Sequence, residues 1–347
     1  MVYAVDMTGP RTGWMVAEVH GAAAVLGSTD GGTSWRLAWS LGAPAASAQA
    51  VSIDFPTPAR GWVALVNAAA RPEAVTVART ADAGQTWHAV TFRAPGASAV
   101  HLAAAGANHL ILLATGPAAA GVMPETVYVS ADGGAVWARA GCSCVRSQAH
   151  GLPGPGLVTG LTARNGGAAW ITQLYGSGQA IPVYRSTDGG RAWRLQPLAT
   201  PLGYRRGFYV NAYPPAFWGP GARDGALLAQ FVGLRGGALI PYTTSDGGAH
   251  WAPQAPVPFG AQAITVDFAP GGQGWVLGRT GKPLLRSADG GRRWAPVPTG
   301  RVIGTVADAV QLDFISPSAG WALVSGAGGW ALLRTADGGR LWSAAGG

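Results

Sequence analysis

Most of the acidic residues in this chain recur at two positions of a repeated pattern, which leaves few carboxylates for chemistry. The sequence has 16 Asp and Glu residues among 347. The residues outside the two repeated positions are Glu18, Glu73, Glu125, Asp224 and Asp308. Glycoside hydrolysis normally needs two carboxylates that flank one bond, and Glu73 and Glu125 begin equivalent predicted strands in adjacent repeats. They form a conceivable pair, but we interpret both as solvated charges at strand edges.

Other catalytic or metal-binding patterns are weak. The six histidines show no spacing typical of metal ligands. Cys142 and Cys144 fit either free thiols or a local disulfide, because a zinc site would need two further ligands and His150 is the one candidate nearby. No Gly-x-Ser-x-Gly motif occurs, and the glycine-rich segments follow turn patterns. The sequence therefore predicts no catalytic residue, no cofactor and no bound metal.

The first repeated position belongs to a motif of Ser or Thr, any residue, Asp, a small residue, Gly, two residues and Trp. It occurs seven times, and its tryptophans are 43 to 58 residues apart. The side chain of Asp can accept hydrogen bonds from backbone N–H groups of its own turn, and Gly supplies a positive φ. We predict a structural role for all seven carboxylates and expect them to be buried. They are Asp30, Asp82, Asp132, Asp188, Asp246, Asp289 and Asp337.

The remaining pattern of each repeat predicts four antiparallel strands. A strand that ends in Asp (Asp6, Asp54, Asp267, Asp313) precedes a Gly-Trp strand such as Gly61-Trp62, then a third strand, the Asp motif and a Trp-led fourth strand. Such units stack on their neighbours, so seven of them predict one all-β domain, a seven-bladed β-propeller without appended modules. The predicted blades span about residues 1–43, 44–94, 95–145, 146–200, 201–258, 259–300 and 301–347.

These motifs carry a family resemblance. The Asp turns resemble the Asp-box (bacterial neuraminidase) repeats of sialidases and sortilin-type receptors. The combination of Asp-Phe, Gly-Trp and Asp-Gly-Gly…Trp in one unit is most similar to the photosystem II assembly and stability factor family, across essentially the whole chain. The resemblance implies a propeller that binds a protein partner without catalysis and lies outside the cytoplasm. A glycan-binding or glycoside-hydrolysing, sialidase-like propeller remains the alternative, since one fold hosts many functions.

Charge suggests where a partner would bind. The formal net charge is +8, and the basic residues are 23 arginines and Lys282. Sorted by predicted loop, many lie on the face opposite the Asp turns. Guanidinium groups suit carboxylates, so we predict that this face binds an acidic segment or a terminal carboxylate. The predicted partner-binding residues are Arg71, Arg93, Arg146, Arg205, Arg206, Arg235, Arg279, Lys282 and Arg301.

The sequence also limits other classes of partner. No recognised nucleic-acid motif accompanies the charge, and no run of 18 apolar residues predicts a membrane span. The start of the chain already has a strand pattern and shows no export segment, whereas the resemblance implies an extracytoplasmic location. We expect a monomer. The segment Tyr209 to Pro220 lengthens the fifth repeat, and we expect its Tyr213, Phe217 and Trp218 to pack over a sheet edge, with a hydrophobic contact to a partner as the alternative.

Overall fold

The computed structural model describes most of the chain as β-strands joined by turns. The described residues are 1–44, 51–67, 70, 72–119, 123–143, 151–152, 156–175, 180–204, 208–233, 236–258, 263–278, 283–298, 308–326 and 329–345. Within them there is no α-helix and no helix long and apolar enough to span a membrane. The chain forms two compact units. The first comprises Met1–Thr29, Trp35–Gln173 and Val183–Gln196, and the second Asp30–Ser34, Leu174–Pro182 and Pro197–Gly347.

The first unit contains three four-stranded antiparallel sheets, each contiguous in sequence. Their strands are β1 Val2–Met7, β2 Gly13–Val19, β3 Ala22–Ser28, β4 Arg36–Pro44, β5 Val51–Thr57, β6 Arg60–Asn67, β7 Ala74–Thr80, β8 His88–Arg93, β9 Ala99–Ala104, β10 Leu110–Thr115, β11 Glu125–Ser130 and β12 Ala138–Cys142. The fourth repeat adds β13 Leu157–Ala163, β14 Ala169–Tyr175, β15 Val183–Ser186 and β16 Arg194–Leu195. In the first repeat β1 pairs with β2, β2 with β3 and β3 with β4, which is the predicted order of strands.

The second unit contains the strands of the last three repeats. They are β17 Phe208–Ala212, β18 Ala216–Trp218, β19 Asp224–Gly233, β20 Gly236–Thr244, β21 Ala252–Pro253, β22 Ala263–Phe268, β23 Gly274–Gly278, β24 Leu285–Ser287, β25 Ala295–Pro296, β26 Asp308–Phe314, β27 Gly320–Gly326, β28 Gly329–Thr335 and β29 Ser343–Ala344. The strands β22–β25 and β26–β29 form two further four-stranded sheets. Leu174 and Tyr175, the end of β14, pair with Asn211 and Val210 of β17. Two short 3-10 helices, Leu202–Tyr204 and Pro220–Ala222, flank β17 and β18.

The Asp turns have the hydrogen bonds that their residue types suggest. In the third turn, Ser130 Oγ donates to Asp132 Oδ1 at 2.8 Å and accepts the N–H of Gly134 at 2.8 Å. Asp132 Oδ1 also accepts the N–H groups of Ala135 and Val136 at 2.9 and 3.0 Å. The expectation of burial is wrong, because Asp132 is exposed and so are the equivalent residues of the fourth and fifth turns. A turn needs only its own N–H groups around the carboxylate, and these lie at the surface.

Hydrophobic clusters lie between consecutive repeats. In the first unit, Trp62 and Val77 of the second repeat pack with Leu112 and Tyr128 of the third. Trp62 also donates its indole Nε1–H to the carbonyl of Gly133, in the next Asp turn, at 2.9 Å. In the second unit, Trp275 donates to Gly338 at 3.1 Å and Trp321 to Gly31 at 2.9 Å. The repeated Gly-Trp position therefore anchors a neighbouring turn as well as filling the core.

The aspartate that ends the first strand links neighbouring repeats. Asp6 Oδ2 accepts the N–H of Phe55 at 2.7 Å, and Asp54 Oδ2 accepts that of Ala104 at 2.7 Å. In the second unit Asp267 Oδ2 accepts the N–H of Phe314. Burial raises the pKa of Asp54 to about 6, against the opposing effect of its backbone hydrogen bond. These carboxylates act as long-range acceptors across about 50 residues of sequence.

The lengthened fifth repeat packs against its own unit. Trp218 stacks on Phe268 with ring centroids 5.4 Å apart, and Phe217 lies 5.9 Å from Trp251. The hydroxyl of Tyr213 donates to Gln230 Oε1 at 2.9 Å. The expectation that these aromatic residues pack over the sheet is therefore confirmed.

Candidate functional site

Arg60 begins β6 at a tight turn beside the Asp turns. Its backbone N–H donates to Thr57 Oγ1 at 3.1 Å, which fixes the start of the strand. Its guanidinium Nη1 donates to the carbonyl of Ala107 in the third repeat at 3.3 Å. Arg60 is thereby held across the junction between the second and third repeats, with its remaining N–H groups available.

A row of paired residues brings a second arginine to the same junction. Trp62 on β6 pairs with Arg79 on β7, which pairs with His88 on β8. Side chains directly opposite each other on neighbouring strands share one face and lie about 5 Å apart at Cβ. Arg79 Nη1 reaches the carbonyls of Asp132 and Gly133, each at 3.4 Å. The sheet itself therefore orders Trp62, Arg79 and His88 side by side.

These side chains line a concave pocket of about 290 Å³. Its walls include Arg60, Trp62, Arg79, His88 and Asn108. The floor is ordered because Gly133 N–H donates to the Asn108 carbonyl at 2.9 Å while the Gly133 carbonyl accepts from Trp62. A concave pocket with a few fixed polar groups is a candidate ligand site.

The electrostatics of the pocket favour an anion. Among the described residues, neither Arg60 nor Arg79 forms an ion pair with a carboxylate. The one acid in the lining, Asp132, has its carboxylate engaged by its own turn, and the backbone hydrogen bond from Val136 is the main cause that lowers its pKa. Two guanidinium groups with unused donors can bind a carboxylate or a phosphate in a bidentate manner.

The structure describes only one of the predicted partner-binding residues. Arg93 lies at the exposed end of β8, and its carbonyl accepts a hydrogen bond from the hydroxyl of Tyr128 at 3.4 Å. The other predicted partner-binding residues lie outside the described residues: Arg71, Arg146, Arg205, Arg206, Arg235, Arg279, Lys282 and Arg301. Arg60 and Arg79 were not among the predicted partner-binding residues, because those were chosen from predicted loops and both pocket arginines lie in strands.

The conceivable carboxylate pair has two different environments. Glu73 Oε2 accepts the N–H of Gly96 at 3.1 Å, at the turn after β8. Glu125 is 1% exposed, so its interpretation as a solvated charge is wrong. Its side chain faces the fourth repeat, where Gln173 Nε2 donates to Glu125 Oε1 at 2.6 Å. Burial raises the pKa of Glu125 to about 8, against the opposing effect of that hydrogen bond.

The cysteines and the potential metal ligands are only partly within the described residues. No group of three or more His, Cys, Asp and Glu residues is arranged there to hold a metal ion. Cys142 takes part in a disulfide bond. Cys144, the other cysteine of the sequence, and His150 lie outside the described residues.

Comparisons with known proteins show likenesses in structure. No protein-family model matches the chain, and no curated protein does. The structure of YCF48 bound to D1 peptide is 17% identical, with 96% of this chain and 91% of that chain covered and a TM-score of 0.60. YCF48 from Cyanidioschyzon merolae is 16% identical, with 97% and 93% covered and a TM-score of 0.57.

A second kind of neighbour is enzymatic. The GH74 xyloglucanase from Xanthomonas campestris is 17% identical with a TM-score of 0.64, and the match covers 99% of this chain but 54% of the enzyme. The chain thus spans about half the length of that enzyme. At these identities the likenesses concern the fold. They match the resemblance to photosystem II assembly factor-like propellers and, more distantly, to sialidase-like propellers.

Proposed function

We propose that this protein is a monomeric, non-catalytic, seven-bladed propeller that binds a protein partner outside the cytoplasm. It recognises an acidic segment or a terminal carboxylate of that partner. The observation that carries the proposal is the pocket at Arg60 and Arg79, where two guanidinium groups keep unused donors. The likeness to YCF48, solved with a bound peptide, supports a peptide partner. The basic face that includes Arg93 is the competing location for the same partner.

The arrangement of the pocket indicates how such a segment would bind. Arg60 and Arg79 are each held by carbonyls of the third repeat, so their side chains are ordered before a ligand arrives. Preorganised donors lose less conformational entropy on binding. The ring of Trp62 and the exposed side chain of His88 lie beside them in the lining of the pocket.

The binding test compares arginine variants. A fluorescein-labelled peptide of Asp, Glu, Ala and Gly with a free C-terminus is titrated with the protein, and fluorescence anisotropy gives Kd. We expect Arg60→Gln and Arg79→Gln each to weaken binding about 10- to 100-fold, because a hydrogen bond to a charged group contributes about 1.5–3 kcal/mol. Arg334→Gln is the matched control for Arg79, since Arg334 occupies the same repeat position over Trp321.

The outcomes separate the two locations. If Arg93→Gln abolishes binding while both pocket variants bind normally, the basic face binds the partner and the pocket does not. If peptide binding is equal in all variants, the arginine proposal fails altogether. An amidated copy of the peptide distinguishes a terminal carboxylate from side-chain acids, because it lacks only the former.

A glycan function is the alternative, and the fold likeness to the xyloglucanase favours it. Its test is incubation of the purified chain with xyloglucan and measurement of reducing ends. Hydrolysis that Glu73→Gln abolishes would replace the binding proposal with an enzymatic one. The described geometry argues against a catalytic Glu125, because a catalytic carboxylate must reach its substrate and Glu125 is 1% exposed.

A further inference from the structure

The buried carboxyl group of Glu125 is not used by the proposed binding site. Glu125 begins β11 and pairs with Thr115 at the end of β10. Both side chains face the fourth repeat, as do Val127 and Leu113, which pack against Ile171 in one hydrophobic cluster. Thr115, Glu125 and Gln173 are each at most 1% exposed. A polar group is therefore enclosed at the apolar junction of two repeats.

The hydrogen bonds around Glu125 are too few for a carboxylate. Gln173 Nε2 donates to Glu125 Oε1 at 2.6 Å, but Glu125 Oε2 and Gln173 Oε1 are both buried without a hydrogen-bond partner, as is Thr115 Oγ1. An ionised carboxylate accepts hydrogen bonds at both oxygens, and burying one with a single donor is costly. The unpartnered acceptors Glu125 Oε2 and Gln173 Oε1 belong to the same interacting pair. One additional proton is missing from this pair.

One proton would satisfy both unpartnered oxygens. A neutral carboxylic acid has an O–H donor, so Oε2–H of Glu125 would donate to Oε1 of Gln173 while Gln173 Nε2 donates to Oε1 of Glu125. We propose that Glu125 is a neutral acid at physiological pH, and that it forms with Gln173 a two-hydrogen-bond pair that joins the third and fourth repeats and opens when the acid ionises.

We attribute the pH dependence to Glu125 and not to the titratable side chains near it. His101 lies on the same face of the sheet, paired with Leu113, and burial lowers its pKa to about 4, so it stays uncharged above that pH. Tyr128 and Arg139 pair with each other in an alternate row, whose side chains face away from Glu125. The side chain of Tyr175 on β14 lies outside the described ones. Raised by burial, the pKa of Glu125 near 8 fits a neutral acid.

The sign of the pH effect follows from linkage. Because the pKa of Glu125 in the folded chain lies above its ordinary value of 4.5, the folded state binds more protons between these values. Stability from this group is complete below about pH 4.5 and is lost as the pH rises through about 8. The loss approaches tenfold in the folding equilibrium constant per pH unit within that window.

The experiment uses the whole chain labelled with ¹³C at the glutamate side-chain carboxyl. The sequence has three glutamates, so the NMR spectrum holds three carboxyl signals, and Glu18→Gln and Glu73→Gln assign the third by elimination. We expect the Glu125 signal to report a protonated acid at pH 7 and to titrate near pH 8. A Glu125 signal that is ionised at pH 6 overturns the proposal.

A second measurement tests the predicted effect of Glu125 on the stability of the fold. Glu125→Gln keeps a donor and an acceptor towards Gln173 at every pH, and the exposed Glu18→Gln is the matched control. Unfolding by urea between pH 5 and 9 should show that Glu125→Gln removes the loss of stability on the alkaline side, whereas Glu18→Gln keeps it. Identical pH profiles for the wild-type chain and Glu125→Gln contradict the proposal.

Discussion

Removal of the carboxylate at Asp54 should separate the effect of a hydrogen bond from that of a buried charge. Asp54 Oδ2 accepts the N–H of Ala104, which lies in the next repeat, at 2.7 Å. In Asp54→Ala this N–H loses its acceptor, and an unsatisfied buried donor costs about 1–3 kcal/mol. Asp54→Asn keeps an acceptor oxygen and removes the charge. We therefore expect Asp54→Ala to be destabilised and Asp54→Asn to be at least as stable as the wild-type chain at pH 7.5.

The shift in the pKa of Asp54 sets the free energy that its buried charge costs. Burial raises the pKa of Asp54 from 3.8 to about 6, so the folded state holds the proton more tightly than the unfolded state. The contribution of this group to stability is complete below 3.8 and is lost as the pH rises through about 6. Each tenfold change in the ionisation constant corresponds to about 1.4 kcal/mol. The advantage of Asp54→Asn should thus grow to about 1–3 kcal/mol above pH 6.

Native-state hydrogen exchange gives a local measurement. The Ala104 amide should exchange about 10- to 100-fold faster in Asp54→Ala and at an unchanged or lower rate in Asp54→Asn. The exposed Asp224→Ala is the control, and surface substitutions normally change stability by less than about 0.5 kcal/mol. Equal losses of stability in the Ala and Asn variants would show that the charge of Asp54, and not the acceptor oxygen, stabilises the fold.

Three further predictions concern a hydrogen bond, a packing contact and the charge of the proposed binding site. Trp275→Phe removes the hydrogen bond to the Gly338 carbonyl and should lower the free energy of unfolding by about 1–3 kcal/mol in urea titrations; an unchanged value would show that the bond is dispensable. Gly61→Ala should destabilise by about 1–3 kcal/mol because its Cβ would overlap the Phe55 ring, whereas Gly9→Ala meets no atom within 4 Å and should melt like the wild-type chain. Peptide binding should weaken as salt rises from 0.05 to 0.5 M, since exposed charges are screened beyond about 10 Å at 0.1 M; salt-independent Kd values would exclude an electrostatic contact.

The sequence predicts the repeated sheets well because every repeat contains the same local information. Alternating apolar residues, the Asp turn and the Gly-Trp strand are all decided within about one repeat, and in the five four-stranded sheets of the described chain the strands follow that order. The partners of Asp54 and Trp62 are different. They lie in the next repeat, at Ala104 and Gly133, and only the stacking of sheets brings them together.

The pocket arginines and the buried Glu125 could not be predicted from the assignment of residues to loops and strand edges. Arg79 was not a candidate because it lies inside a strand, yet its cross-strand row places it beside His88 and above the next Asp turn. A signal for Arg60 was present, since the equivalent position in other repeats holds Thr12, Gln273 or Ala319. Glu125 was interpreted as solvated because its residue type suggested it. Its pairing with Thr115 turns it towards the apolar fourth repeat.

We expect a segment of the partner to contact the pocket between the second and third repeats. The most direct measurement is photo-crosslinking of the acidic peptide, with a benzophenone residue beside its C-terminus, followed by mass spectrometry of the crosslinked fragments. We predict crosslinks to residues 60–62, 79–81 and 107–108, which line the pocket, and their loss in Arg79→Gln. Crosslinks confined to the region around Arg93, or spread evenly over the chain, would show that the partner does not bind at the pocket.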